Sequence, residues 1–194
     1  MEIIIHRVNT IKNLKEIPSK YGIEIDIRAN GSNLILNHEP FQKGQKLIDF
    51  LKYYNHGTII ANIKEAGIEY EVINLFRLLK INSFFLLDTE MPFVFKSYKE
   101  NFKKIALRYS EYEKIENIKV FKDFFDWVWI DTITKLEINK IDLKFIKNNK
   151  SCLVCPERWG RPDDIKKYKR KLKKLNFKLD AVMTSYKYAN LWEQ

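Results

Sequence analysis

The sequence predicts an α/β protein, a small (β/α)8 TIM barrel, on three observations. Eight short apolar, β-branched runs alternate with amphipathic stretches along its 194 residues, the rhythm of such a barrel. The runs are nearly continuous in Ile, Val, Leu and Phe, as strands buried on both faces of a parallel sheet require. No Gly-rich phosphate loop follows any of them, which leaves a Rossmann-like sandwich as the weaker alternative.

The first strand is expected at Ile3–His6, followed by a helix marked by Ile11, Leu14 and Ile17. The second, Ile23–Ile27, runs into Asn30-Gly31, a hairpin signal that places a short extra strand at Leu34–Leu36. Leu47, Phe50 and Leu51 then mark a helix before the third strand, Thr58–Ile63. Ile68, Val72, Leu75 and Leu79 recur at helical spacing before the fourth, Phe84–Asp88. The fifth strand, Ile105–Ser110, ends in Ser110 and Glu113, whose spacing is that of a capping box ahead of Ile115 and Ile118. Trp127–Asp131, Cys152–Glu157 and Ala181–Ser185 complete the eight. The connections around Met91–Lys104 and Thr132–Lys150 are less regular than the others. No linker or repeat interrupts the chain, so residues 1–194 read as one domain.

Composition narrows the class. The chain is 45% hydrophobic and 14% aromatic with few Gly and Pro, which excludes disordered and collagenous proteins. No apolar run approaches the ~20 residues that span a bilayer, and the acidic start, Met-Glu-Ile-Ile-Ile-His, is unlike a signal peptide. A cytoplasmic protein is expected. Cys152 and Cys155 have C-x-x-C spacing, but no second pair and no nearby His completes a zinc site. They read as small hydrophobes in a buried strand.

The net charge is +10, with 35 Lys and Arg against 25 Asp and Glu. Lys166, Lys167, Lys169, Arg170, Lys171, Lys173 and Lys174 lie on one stretch, interleaved at helical spacing with Ile165, Tyr168, Leu172 and Leu175. Pro162, Asp163 and Asp164 suit the opening of that helix. The plain reading is a solvated basic face on a core-packed helix. The sharper one is peripheral contact of residues 163–177 with an anionic surface, and nucleic acid is not expected as a partner.

Barrel chemistry collects at the C-terminal ends of strands. Those ends carry His6 and Arg7, then Glu24, Asp26 and Arg28, then Asn62 and Lys64, with Asp88, Arg108, Ser110, Asp131 and Glu157 further on. Glu24 and Asp26 stand two apart on a strand and so share a face, flanked by isoleucines on the other. Two buried carboxylates repel unless a cation compensates them, and oxygen ligands suit Mg²⁺ or Ca²⁺. His6 and His38 supply acid-base groups, while Arg7 and Lys64 supply fixed positive charge for a phosphate. His56, beside Gly57 in a turn, reads as incidental.

His6-Arg7, Glu24-x-Asp26, His38-Glu39 and Asn62-x-Lys64 resemble the H-R-G, E-x-D, H-D and E-x-K pattern of glycerophosphodiester phosphodiesterases, relatives of the phosphatidylinositol phospholipase C-like barrels. The resemblance implies a metal-dependent phosphodiesterase acting on a small phosphodiester. His6 and His38 would be general acid and base, Arg7 and Lys64 would bind phosphate, and Glu24, Asp26 and Asn62 would hold Mg²⁺ or Ca²⁺, with Asp88 as alternative third ligand. A neighbouring substrate hydroxyl would attack phosphorus in line. Phe85-Leu-Leu-Asp88 and Arg108-Tyr-Ser-Glu-Tyr112 look like members found among bacterial surface-polysaccharide enzymes.

Three positions depart from the pattern. Val8 stands in place of Gly, Glu39 in place of Asp, and Asn62 in place of a carboxylate. An amide oxygen ligates a hard cation but brings no charge. The alternative readings are a barrel without turnover that binds phosphate or a polyanion, and a Mg²⁺-dependent lyase or isomerase. The latter leaves the two histidines without a shared role.

Overall fold

The computed structural model describes residues 1–193. They form two compact units, one of Ile4–Phe93 and the other of Met1–Ile3 with residues 94 onward.

In the first unit the elements are β1 (Glu2–Ile5, of which the last two residues belong here), α1 (Ile11–Glu16), β2 (Gly22–Asn30), β3 (Asn33–Leu36), β4 (Gln45–Lys46), α2 (Leu47–Leu51), β5 (Ile59–Ile63), α3 (Glu69–Leu78) and β6 (Phe84–Leu87). β2 pairs in parallel with β1 on one side and β5 on the other, and β5 pairs in parallel with β6. The β2–β5 register sets Asp26 against Asn62 and Glu24 against Ile60, which fixes where the polar side chains emerge. Alternation along β2 puts Ile23, Ile25 and Ile27 on the face opposite Glu24 and Asp26, and all five are buried. Beyond Ile27, β2 turns back into antiparallel β3 through Asn30-Gly31, with Gly31 at φ +60°, where a residue without Cβ is favoured. Thr10 caps α1, its Oγ1 accepting from Asn13 N at 3.1 Å.

The expected face of α3 is partly corrected. Ile68 and Val72 are buried, but Leu79 is 38% exposed, and Ile73 and Phe76 occupy the core instead. The helix stops at Leu78, so Leu79 lies past the stripe that its spacing implied.

The second unit carries α4 (Met91–Lys99, from Val94 on), β7 (Ala106–Tyr109), α5 (Ile115–Val120), β8 (Trp127–Ile130), α6 (Lys140–Ile146), β9 (Lys150–Val154), α7 (Asp164–Lys174) and β10 (Ala181–Thr184). β7 to β10 form consecutive parallel ladders, and Glu2 N donates to Asp180 O at 2.7 Å. The irregular stretch before β9 contains α6, whose cap Asn139 accepts from Ile141 N (2.8 Å) and Asp142 N (3.0 Å). Ser110 Oγ accepts from Tyr112 N and Glu113 N, closing a turn. It is not the cap expected for α5, which starts after Lys114 with no side-chain cap. Cys152 and Cys155 are buried, as their apolar surroundings implied, and Cys155 Sγ accepts from Trp192 Nε1 at 3.3 Å.

The eight parallel strands fall where the sequence places them, and the protein is α/β with a mainly parallel sheet. Within the first unit β6 pairs with β5, and within the second β7 pairs with β8. Among the described residues no helix is long and apolar enough to cross a membrane.

Candidate active site

The residues singled out as a phosphodiester site all belong to the first unit: His6 and Arg7 follow β1, Glu24 and Asp26 lie within β2, His38 follows β3, Asn62 and Lys64 stand at the end of β5, and Asp88 follows β6. Glu24 and Asp26 are each 1% exposed, buried as their setting among isoleucines implies. Each carboxylate is held from several sides. Glu24 Oε2 accepts from Arg7 N at 2.7 Å, and Glu24 Oε1 from Asn62 Nδ2 at 2.9 Å. His6 Nε2 lies 3.9 Å from Glu24 Oε2. Asp26 Oδ2 accepts from Asn9 Nδ2 at 2.8 Å, and Asp26 N donates to Asn9 Oδ1 at 2.9 Å. Lys64 Nζ stands 3.3 Å from Asp26 Oδ1 and 3.8 Å from Asp88 Oδ2. Arg7 Nε is 3.9 Å from Asp26 Oδ2.

The backbone supplies part of this geometry. Arg7 has φ +55° and Asp88 φ +58°, in the left-handed region that side chains other than Gly enter at a cost. The turn at Arg7 directs its N–H at the Glu24 carboxylate, while Val8 N donates to the Glu24 carbonyl at 2.9 Å. Val8, in place of the family's Gly, is buried there.

His38 is oriented separately. Its Nδ1 lies 2.6 Å from Glu39 Oε1, and its carbonyl accepts from Arg28 Nε (3.2 Å) and Nη2 (2.9 Å). Arg28 Nη1 also donates to Lys64 O at 3.3 Å, so one guanidinium joins the His38 loop to the end of β5. A carboxylate on Nδ1 selects the tautomer whose Nε2 accepts a proton. His56, by contrast, bonds Ile17 O at 2.9 Å and belongs to the scaffold.

The oxygen-rich centre tests the fit of a cation. Asn62 Oδ1 is buried with no hydrogen-bond donor, and Asp26 Oδ1 is buried with only the Lys64 ammonium, 3.3 Å away, to meet it. Buried acceptors left in this way destabilise a fold unless something positive meets them. Two carboxylates and an amide oxygen are hard donors, the set that Mg²⁺ or Ca²⁺ takes. Among the described residues no group of three His, Cys, Asp or Glu forms a metal cage, because the third position is the amide of Asn62. The residues therefore fit a divalent ion held with one charge fewer.

Burial, and secondly the neighbouring Asp26, raise the Glu24 pKa from 4.5 to about 7, while the Asn62 and Arg7 N–H groups pull it down. A carboxyl raised in the folded state favours the fold in acid, and that contribution fades as pH climbs from 4.5 through about 7. In metal-free protein, Tm should therefore fall between pH 5 and pH 8 more steeply for the native chain than for Glu24→Gln. Parallel Tm–pH curves would contradict this.

Asn9 and Glu39 are roles that the sequence did not reveal. Asn9 precedes the capping residue Thr10 and looks like part of a helix start. Its partner Asp26 stands seventeen positions further along the chain. Glu39 was visible only as a conservative change beside a histidine.

Within the second unit a separate polar group gathers at strand ends. Arg108 pairs with Asp131 and lies 3.3 Å from Glu113, and Asp131 also accepts from Trp159 Nε1 at 2.9 Å. Glu157 accepts from Ser185 N at 2.8 Å.

No family model matches the sequence, and no curated protein matches it. Solved structures do. A protein of Agrobacterium tumefaciens strain C58 assigned as a glycerophosphoryl diester phosphodiesterase superposes with a TM-score of 0.67 at 9% identity, over 99% of this chain and 96% of its own. A glycerophosphodiester phosphodiesterase of the same strain gives a TM-score of 0.61 at 13% identity, over 94% and 96%. At these identities the likeness is one of fold, and it extends over nearly the whole chain.

Proposed function

We propose that the protein is a divalent-metal-dependent phosphodiesterase, one domain over residues 1–194, that hydrolyses a glycerophosphodiester or a related sugar- or lipid-linked phosphodiester. The observation that carries this reading is the pair of buried carboxylates within β2, set beside the orphaned oxygen of Asn62 and two cationic side chains. The fold it shares with phosphodiesterases supports it.

Glu24, Asp26 and Asn62 would hold the ion. When bound, such an ion neutralises charge on the phosphoryl oxygens. Asn9 fixes the rotamer of Asp26 from both ends, and Arg7 N fixes that of Glu24. The Lys64 ammonium and the Arg7 guanidinium draw the phosphate to this end of the strands and compensate its charge. His38, oriented by Glu39, exchanges a proton at Nε2, and His6 exchanges the other. One imidazole takes the proton of the attacking hydroxyl and the other protonates the departing oxygen. Asp88, linked to Asp26 by Lys64, is the alternative third ligand. A phosphate-binding barrel without turnover remains the second reading, favoured by the amide at position 62.

Position 62 tests the proposal. Asn62→Asp restores a carboxylate and should tighten Mg²⁺, Mn²⁺ or Ca²⁺ binding in titration calorimetry, and Asn62→Leu should weaken it without unfolding the protein. Unchanged affinity for all three ions would remove Asn62 from the site. Release of alcohol from a panel of phosphodiesters, with and without these ions, separates the enzyme from the binding module.

A further inference from the structure

The chain's charge is distributed unevenly. Residues 140–178 contain 14 Lys and Arg against 4 Asp and Glu, an excess equal to the net +10 of the whole sequence. In α7, Ile165, Tyr168 and Leu172 are buried, while Lys166, Lys167, Arg170, Lys173 and Lys174 are exposed. Lys169 and Lys171 turn back, donating to Leu191 O at 2.8 Å and Leu136 O at 2.6 Å. The outward cations therefore line about 12 Å of one helix. At its C-terminal end the chain reverses through Asn176, at φ +48°, into a hollow of about 530 Å³. Lys147, Lys150 and Lys178 line it with Asn148 and Asn176. Its one carboxylate, Asp180, is engaged by Ser151 N (2.8 Å) and Oγ (3.1 Å) and is outnumbered by the three lysines, so the hollow is net cationic.

We propose that the cationic face of α7 and the lysine-lined hollow at its end form a docking surface for an anionic phospholipid bilayer. The apolar side of α7 is committed to the core, so the helix lies against headgroups without inserting. Lysines dominate, point charges suited to diffuse attraction by anionic lipid, and the hollow has room for a headgroup phosphate. Nucleic acid fits less well. The face of α7 has no Asn or Gln to read base edges, and its one aromatic residue, Tyr168, is buried and offers no stacking platform. This surface stands independently of the catalytic reading, since none of its residues belongs to that site.

The experiment is co-sedimentation of the full chain with vesicles of phosphatidylcholine alone, or with about a quarter phosphatidylserine. Binding is expected only to the anionic vesicles, at about 0.05 M salt, and should vanish at about 0.5 M. Combined Lys166→Gln, Arg170→Gln and Lys173→Gln should weaken it about 100-fold, as should Lys147→Gln, Lys150→Gln and Lys178→Gln, with Tm unchanged. Lys166→Arg with Lys173→Arg should retain it. No sedimentation with anionic vesicles, equal sedimentation with neutral ones, undiminished binding by both triple variants, or binding to a short DNA duplex in place of vesicles would each overturn the proposal.

Discussion

His38→Ala should lower phosphodiester turnover by about 10² to 10⁴ while leaving the fold intact, and His6→Ala should do the same. The two imidazoles are placed by different means. His6 follows directly from β1 and stands 3.9 Å from the buried Glu24, whereas His38 is held through its carbonyl by Arg28 and through Nδ1 by Glu39. Neither ring anchors the core, so alanine removes a proton carrier without creating a large cavity. Metal affinity should survive both substitutions. The native enzyme should show a bell-shaped pH dependence, and each variant should lose one limb. Near-normal turnover by His38→Ala on a confirmed substrate would dismiss the acid-base assignment.

Lys64→Met should lower stability by about 3 kcal/mol, because removing one partner leaves the Asp26 carboxylate buried without its closest cation. Lys64 is 16% exposed and Asp26 only 1%, so solvent screens their 3.3 Å contact weakly. For a chain of this length the loss corresponds to about 9 °C in Tm. Methionine keeps most of the side-chain volume, which separates charge from packing. Turnover should fall as well, and added Mg²⁺ or Ca²⁺ should restore part of the Tm. Thermal melts with and without the ion check both statements. A Tm within 2 °C of the native value would mean that Lys64 does not compensate Asp26.

Much of this architecture was legible because buried parallel strands are nearly uninterrupted apolar runs. Each of the eight expected strands overlaps an observed one. The carboxylates were legible for the same reason, since two acids within Ile-Glu-Ile-Asp-Ile stand out against any core pattern. Local spacing misled where tertiary packing decided the outcome. Phe76 and Ile73 took the core positions that Leu75 and Leu79 were expected to fill, and Ser110 closed a turn in place of a cap. Asn9 was hidden because its partner is distant in sequence, and side-chain pairing across seventeen residues leaves no periodic trace.

The left-handed backbone at Arg7 has a meaning for how such a chain evolves. An arginine held at φ +55° costs about 1 kcal/mol that glycine would not. Random mutation with selection for robustness alone would therefore favour glycine there, and with it the loss of the guanidinium that stands over Asp26. Position 7 is a point where drift toward a sturdier protein and retention of a cation beside a buried carboxylate pull in opposite directions. A lineage that kept the arginine would be one in which its charge at that position mattered more than the last increment of stability.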